Sequence, residues 1–120
     1  MSESILTSIK QGIGGIPDGY EAFDAELILL INAELARLCQ LGVGPEEGFY
    51  IASKEETWDQ FITDPRLNMA KEYVTLRVKV VFDNSTTPST VLNIYNQKAE
   101  ELEWVLCVEA EHIKAEESES

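Results

Sequence analysis

One helical stripe constrains this chain more than any other feature. Leu27, Ile31, Leu35 and Leu38 recur at steps of four and three, the spacing that puts apolar side chains on one face of an α-helix. The spacing predicts a long helix over residues 21–41. Glu21, Asp24 and Glu26 crowd its first turns, where the helix dipole favours negative charge. Gly42 stands where a helix-ending glycine is expected. Leu27-Ile28-Leu29-Leu30-Ile31 is apolar all the way round. Such a turn demands burial on more than one side, by its own domain or by a neighbouring subunit.

The segments around it also read as helical. Residues 3–11 predict a short helix with Ile5, Leu6 and Ile9 on one side. Four glycines and Pro17 within residues 12–19 then break any regular element. Residues 42–57 read as a long loop, the kind that often binds, with Phe49-Tyr50-Ile51 as a short strand or an anchor. Thr57 caps a short helix through Ile62, with Trp58, Phe61 and Ile62 facing inward. Asp64 and Pro65 form an N-cap and first helical position.

The stretch after Pro65 is ambiguous. Val74, Leu76, Val78, Val80 and Phe82 alternate as in a strand, while Met69, Tyr73, Leu76 and Val80 fit a helix stripe. The Asp-Pro start and the length of the run favour a helix over 65–82. A last helix runs from Ser89 to about Ile113, with Leu92, Tyr95, Ala99, Leu102 and Leu106 on one face. Trp104-Val105-Leu106-Cys107-Val108 widens that face. The expected fold is all-α: a small bundle of about three long helices plus short ones, with a long loop after the first long helix. It occupies residues 1–113 as a single domain, and residues 114–120 form an acidic disordered tail.

Composition fits one domain of 120 residues, 44% of them hydrophobic. Nine Lys+Arg against 22 Asp+Glu give a net charge of −13. Such a surface repels phosphate backbones and anionic membranes, which argues against sequence-specific nucleic-acid binding and membrane association. No secretory signal and no apolar run of membrane-spanning length is evident. The single histidine, His112, sits in an acidic context, so the inventory speaks against a Cys–His or Ser–His catalytic unit. No catalytic residue, cofactor or metal is expected.

Each motif has a plain reading. Gly12-x-Gly14-Gly15 neither follows a strand nor carries the Lys-Ser/Thr of a phosphate loop, so a hinge accounts for it better. Glu109 and His112 form the lone pair resembling a bundle metal motif, and a solvated acidic face explains the neighbouring glutamates better. Asn84-Ser85-Thr86 matches the glycosylation pattern, but without an export signal it means a polar loop. Cys39 and Cys107 read as reduced apolar packing residues. Trp58 and Trp104 lie on apolar stripes and read as core first, interface anchors second.

Charge is uneven. Arg66, Lys71, Arg77 and Lys79 make residues 66–83 basic, whereas residues 84–120 set Lys98 and Lys114 against eight glutamates. The two surfaces are candidates for a charge-paired, head-to-tail contact between copies.

A series of phrases carries a family likeness. They are Ile31-Asn32, Leu38-Cys-Gln-Leu-Gly-Val-Gly-Pro45, Gly48-Phe-Tyr-Ile51, Thr57-Trp-Asp-Gln-Phe61, Arg66-Leu-Asn68, Lys71-x-Tyr-Val74, Val81-Phe-Asp83 and Glu101-Leu-Glu-Trp104. In order and spacing, over roughly residues 3–110, the chain resembles the small all-helical head–tail connector (adaptor, or head-completion) proteins of long-tailed bacteriophages. The resemblance implies a structural virion protein made in the host cytoplasm. It implies a homo-oligomeric ring of about 12 copies between portal and tail or head-completion proteins, extending the DNA channel. It carries over no catalytic residue. By position, it places neighbour contacts at about Gly42–Thr57 and Glu103–Ser120.

The residues expected at subunit or partner interfaces are Leu27, Ile28 and Leu29; Phe49, Tyr50 and Ile51; Arg66, Lys71, Arg77 and Lys79; and Glu101, Glu103 and Trp104. The competing reading is an acidic adaptor or inhibitor that binds a basic partner, as a DNA mimic does. A small enzyme or metal–carboxylate protein is the weakest of the three.

Overall fold

The computed structural model describes residues 3–17, 19–82 and 87–119. Five α-helices follow one another: α1 (Ile5–Gly12), α2 (Asp24–Gln40), α3 (Trp58–Phe61), α4 (Ala70–Phe82) and α5 (Ser89–Glu119). A 3₁₀ turn, Pro65–Leu67, precedes α4. The architecture is the all-α bundle expected. The predicted loop at 83–88 and the Asn84-Ser85-Thr86 pattern fall mostly or wholly outside the described residues.

Local chemistry fixes the ends. The Ser4 side chain accepts from the Thr7 N–H and caps α1. At the end of α2 the Val43 N–H donates to the Leu38 carbonyl and the Gly42 N–H to that of Cys39. This is the paired arrangement that closes a helix on a glycine, with the apolar pair Leu38 and Val43 both buried beneath it. Before α3, the Gln60 side chain accepts from the Thr57 N–H.

Helix α2 begins at Asp24, so Glu21 precedes it rather than lying in its first turn, and two later boundaries also differ from the sequence reading. The helix predicted over 65–82 divides into a 3₁₀ turn and α4, because Leu67 and Asn68 donate three residues back, to the Asp64 and Pro65 carbonyls, rather than four. Helix α5 continues to Glu119 rather than stopping near Ile113. Arg66 holds that extension, donating from Nη1 and Nη2 to Glu116 at 2.7 and 3.0 Å.

One core joins all the elements. Ile5, Leu6 and Ile9 of α1, the Leu27–Leu38 stripe of α2, Tyr73, Val74 and Val78 of α4, and Ala99, Leu102 and Leu106 of α5 are buried together. Helix α4 packs along α5 on one side and α2 on the other, and α1 touches both α2 and α4. The long loop is tied into this core. Asn32 on α2 donates to the Ile51 carbonyl at 2.9 Å and accepts from its N–H at 2.7 Å. Gly44 has φ +94°, and a Cβ there would lie 2.5 Å from the Phe61 ring, so a glycine is required for this close approach.

The start of the chain is fastened to its middle. The Ile5 N–H donates to the Glu56 carbonyl and the Trp58 N–H to that of Glu3, making an isolated antiparallel bridge between Ser4 and Thr57. The buried Trp58 indole donates to Ser8 Oγ at 2.7 Å. Lys10, only 1% exposed, donates to the Tyr20 carbonyl and pairs with Asp24 at 2.8 Å, which pins the glycine-rich link to the start of α2.

Candidate functional site

Helices α2 and α5 flank α4 and leave a polar groove of about 460 Å³ between them. Tyr73 and Arg77 form its floor, with Glu34 and Arg37 from α2 and Glu100 and Glu103 from α5 as walls. Glu103 Oε1 accepts from Arg37 and from the Tyr73 hydroxyl, both at 3.1 Å. Burial, with the negative charges of Glu34 and Glu103, pushes the Tyr73 phenol above its ordinary pKa, so it stays a neutral donor. Arg77 lies 3.5 Å from Glu34 and 3.4 Å from Asn96. Arg37, Glu103 and Tyr73 thus crosslink three helices, while Arg77 Nε is buried without a hydrogen bond and Glu100 has no partner among the described residues.

The cations expected to face a neighbouring copy are therefore engaged at home. Arg66 pairs with Asp64 and Glu116, Arg77 with Glu34, and Lys71 with Glu3 at 3.7 Å. Lys79 lies 5.2 Å above the Tyr95 ring. The structure brings them to carboxylates and a ring that sequence patterning could not locate.

The apolar candidates divide sharply. Leu27 and Ile51 belong to the core, and Ile28 and Phe49 are half-buried, with Phe49 packed on Phe61 at 5.4 Å between ring centres. Leu29 is 73% exposed, Tyr50 72% and Trp104 69%. So the all-round apolar turn of α2 still presents Leu29 to solvent in a single chain. The expectation that Trp104 packs in the core is corrected. Tyr95, Ala99, Leu102 and Leu106 face inward, and Trp104, two residues past Leu102, lies roughly 200° round the helix from it. Trp58 is in the core as expected.

Glu101 is exposed beside Trp104, and Glu103 turns into the groove. In the Glu109–His112 pair His112 is exposed and Glu109 half-buried, with their atoms 4.0 Å apart. Among the described residues no group of three His, Cys, Asp or Glu side chains could hold a metal ion. Burial pushes the Cys39 and Cys107 thiols up, away from the reactive thiolate form.

Sequence reasoning missed Lys10, Asn32, Arg37 and Tyr73 as organising residues. A signal existed for Lys10, which continues the Leu6, Ile9, Ile13 face of α1 and so had to be buried with a partner. None existed for the Tyr73–Glu103–Arg37 set, whose members are far apart in the chain.

The fold is thus a small all-helical protein whose polar cluster is structural and whose unused surface is apolar and acidic, which is the character of an assembly component. The chain belongs to the family described as phage connector protein, matching over residues 5–112. Neither a curated protein nor a solved structure shows a significant match to it. The family is one of structural phage proteins of the head–tail connector, which act alongside other head and tail proteins as virion components. Among the described residues no helix is long and apolar enough to cross a membrane.

Proposed function

We propose that the chain is the repeating subunit of a ring of about 12 copies at the head–tail junction, seated between portal and tail or head-completion proteins. The membership of residues 5–112 in the phage connector family carries this reading. A closed ring needs two different faces on each subunit. Leu29 on α2 and Tyr50 in the long loop are exposed on separate elements and supply apolar anchors for them. A net charge of −13 suits a wall past which DNA slides without adhering.

The test is assembly with and without a purified portal, followed by light scattering behind size-exclusion chromatography and negative-stain imaging. A ring with a central hole, alone or on the portal, is the expected result. A chain that stays monomeric alone and ignores the portal overturns the reading.

A further inference from the structure

Helix α5 has two faces. Its inner stripe is spent on the core. A second series, Ile94, Gln97, Glu101, Trp104 and Val108, also recurs at steps of three and four, on the outside. Ile94 and Trp104 are exposed there with nothing packed over them among the described residues. Large exposed apolar side chains that share a helix face mark an interaction surface.

The charge around Trp104 selects its partner. A shallow hollow lies over the ring, lined by Gln97, Glu100, Glu101 and Val105. Neither Glu100 nor Glu101 has an ion-pair or hydrogen-bond partner among the described residues. An exposed indole is the best of the aromatic faces for a cation, and flanking carboxylates add to the attraction. A second copy is poorly equipped to supply that cation. Lys10, Arg37, Arg66, Lys71 and Arg77 pair with carboxylates of their own chain, and Lys79 covers Tyr95. Lys54 also has a contact within its own chain, and Lys98 and Lys114, which stand outside such contacts among the described residues, each lie three residues from a glutamate of their own α5. Every copy also brings a charge of −13.

We propose that the outer face of α5 around Trp104 receives an arginine or lysine side chain from a basic surface of another head or tail protein, the cation seated on the indole between Glu100 and Glu101. The proposal rests on the connector reading and names the chemistry of one partner.

The probe is an alanine-based helical peptide with two arginines four residues apart, titrated into the full chain, with a glutamate-bearing peptide as control. The two indole N–H signals are followed by NMR. The arginine peptide should move the Trp104 signal and leave that of Trp58 in place. Trp104→Ala and Glu101→Gln should each weaken binding by about three- to tenfold, while Glu46→Gln/Glu47→Gln, in the loop after α2 and outside the hollow over Trp104, leaves it unchanged. Circular dichroism checks that each variant folds. Equal binding by Trp104→Ala, or equal binding of the glutamate peptide, overturns the proposal. So does a Trp104 signal that moves on concentration of the chain alone, because a second copy then covers the face. A chain that joins a portal yet ignores the peptide overturns this proposal alone. A chain that takes the peptide yet neither forms a ring alone nor joins a portal overturns the connector reading alone.

Discussion

The side-chain amide of Asn32 satisfies both backbone polar groups of Ile51, donating to the carbonyl and accepting from the N–H. A single residue of α2 thereby holds the middle of the long loop, with the Ile51 side chain buried behind it and Tyr50 turned outward. Asn32→Ala leaves both groups of Ile51 without their partner. The expected loss is about 2 kcal/mol of unfolding free energy, measured by urea denaturation, together with faster hydrogen exchange across residues 48–53. An unchanged midpoint would mean that the loop is held by Ile51 burial alone.

The glycines of that loop are not equivalent. Gly44 and Gly48 both have positive φ, but a Cβ at Gly44 meets the Phe61 ring at 2.5 Å and one at Gly48 meets nothing within 4 Å. Gly48→Ala should cost about 1 kcal/mol from backbone strain. Gly44→Ala adds the displacement of a core ring and should cost about 3 kcal/mol. The order of the two melting temperatures decides it.

The Lys10–Asp24 pair gives an asymmetric pair of variants. Asp24→Ala removes the carboxylate 2.8 Å from a buried ammonium and should destabilise by about 3 kcal/mol. Lys10→Met removes the buried charge and fills the space, and should cost about 1 kcal/mol. Thermal unfolding of both variants should show the aspartate change as the more damaging. The reverse order would show that the link is held by packing alone.

The clasp on the end of α5 is sensitive to acid. Hydrogen bonds from Arg66 hold the Glu116 and Asp64 carboxyls below their usual range. Carboxylates with depressed folded values stabilise fully above their unfolded pKa, about 4, and lose that contribution as pH falls through the folded values. Hydrogen exchange at residues 113–119 should therefore be protected near neutral pH and speed up, relative to the rest of α5, in strong acid. Arg66→Ala should show the loosened end already at neutral pH, and high salt should weaken the clasp in the natural chain.

Most of the bundle was legible because it depends on local pattern. The 27–31–35–38 stripe, the glycine at 42 and the Thr57 start of α3 each express one-turn physics. The division at Pro65 and the extension to Glu119 were not legible, since the first turns on backbone hydrogen bonds that reach back three residues rather than four and the second on Arg66 reaching from a distant segment. Trp104 was misplaced for a different reason. A helix with stripes on two sides looks, in sequence, like one with a single broad stripe, and only packing shows which side the bundle uses. Likewise, the balance of cations and carboxylates along the chain suggested attraction between copies, whereas folding joins Arg66, Lys71 and Arg77 to carboxylates of the same chain.

The fastening of Ser4 to Thr57 has a consequence for synthesis. Helix α1 is made first, yet its backbone partners at Glu56 and Trp58 and its neighbour α4 leave the ribosome much later. Its buried isoleucines and leucine have only α2 to pack on until half the polypeptide has been translated. Helix α1 is thus seated late, and a nascent chain stalled before Trp58 would leave part of its apolar face open to any chaperone nearby.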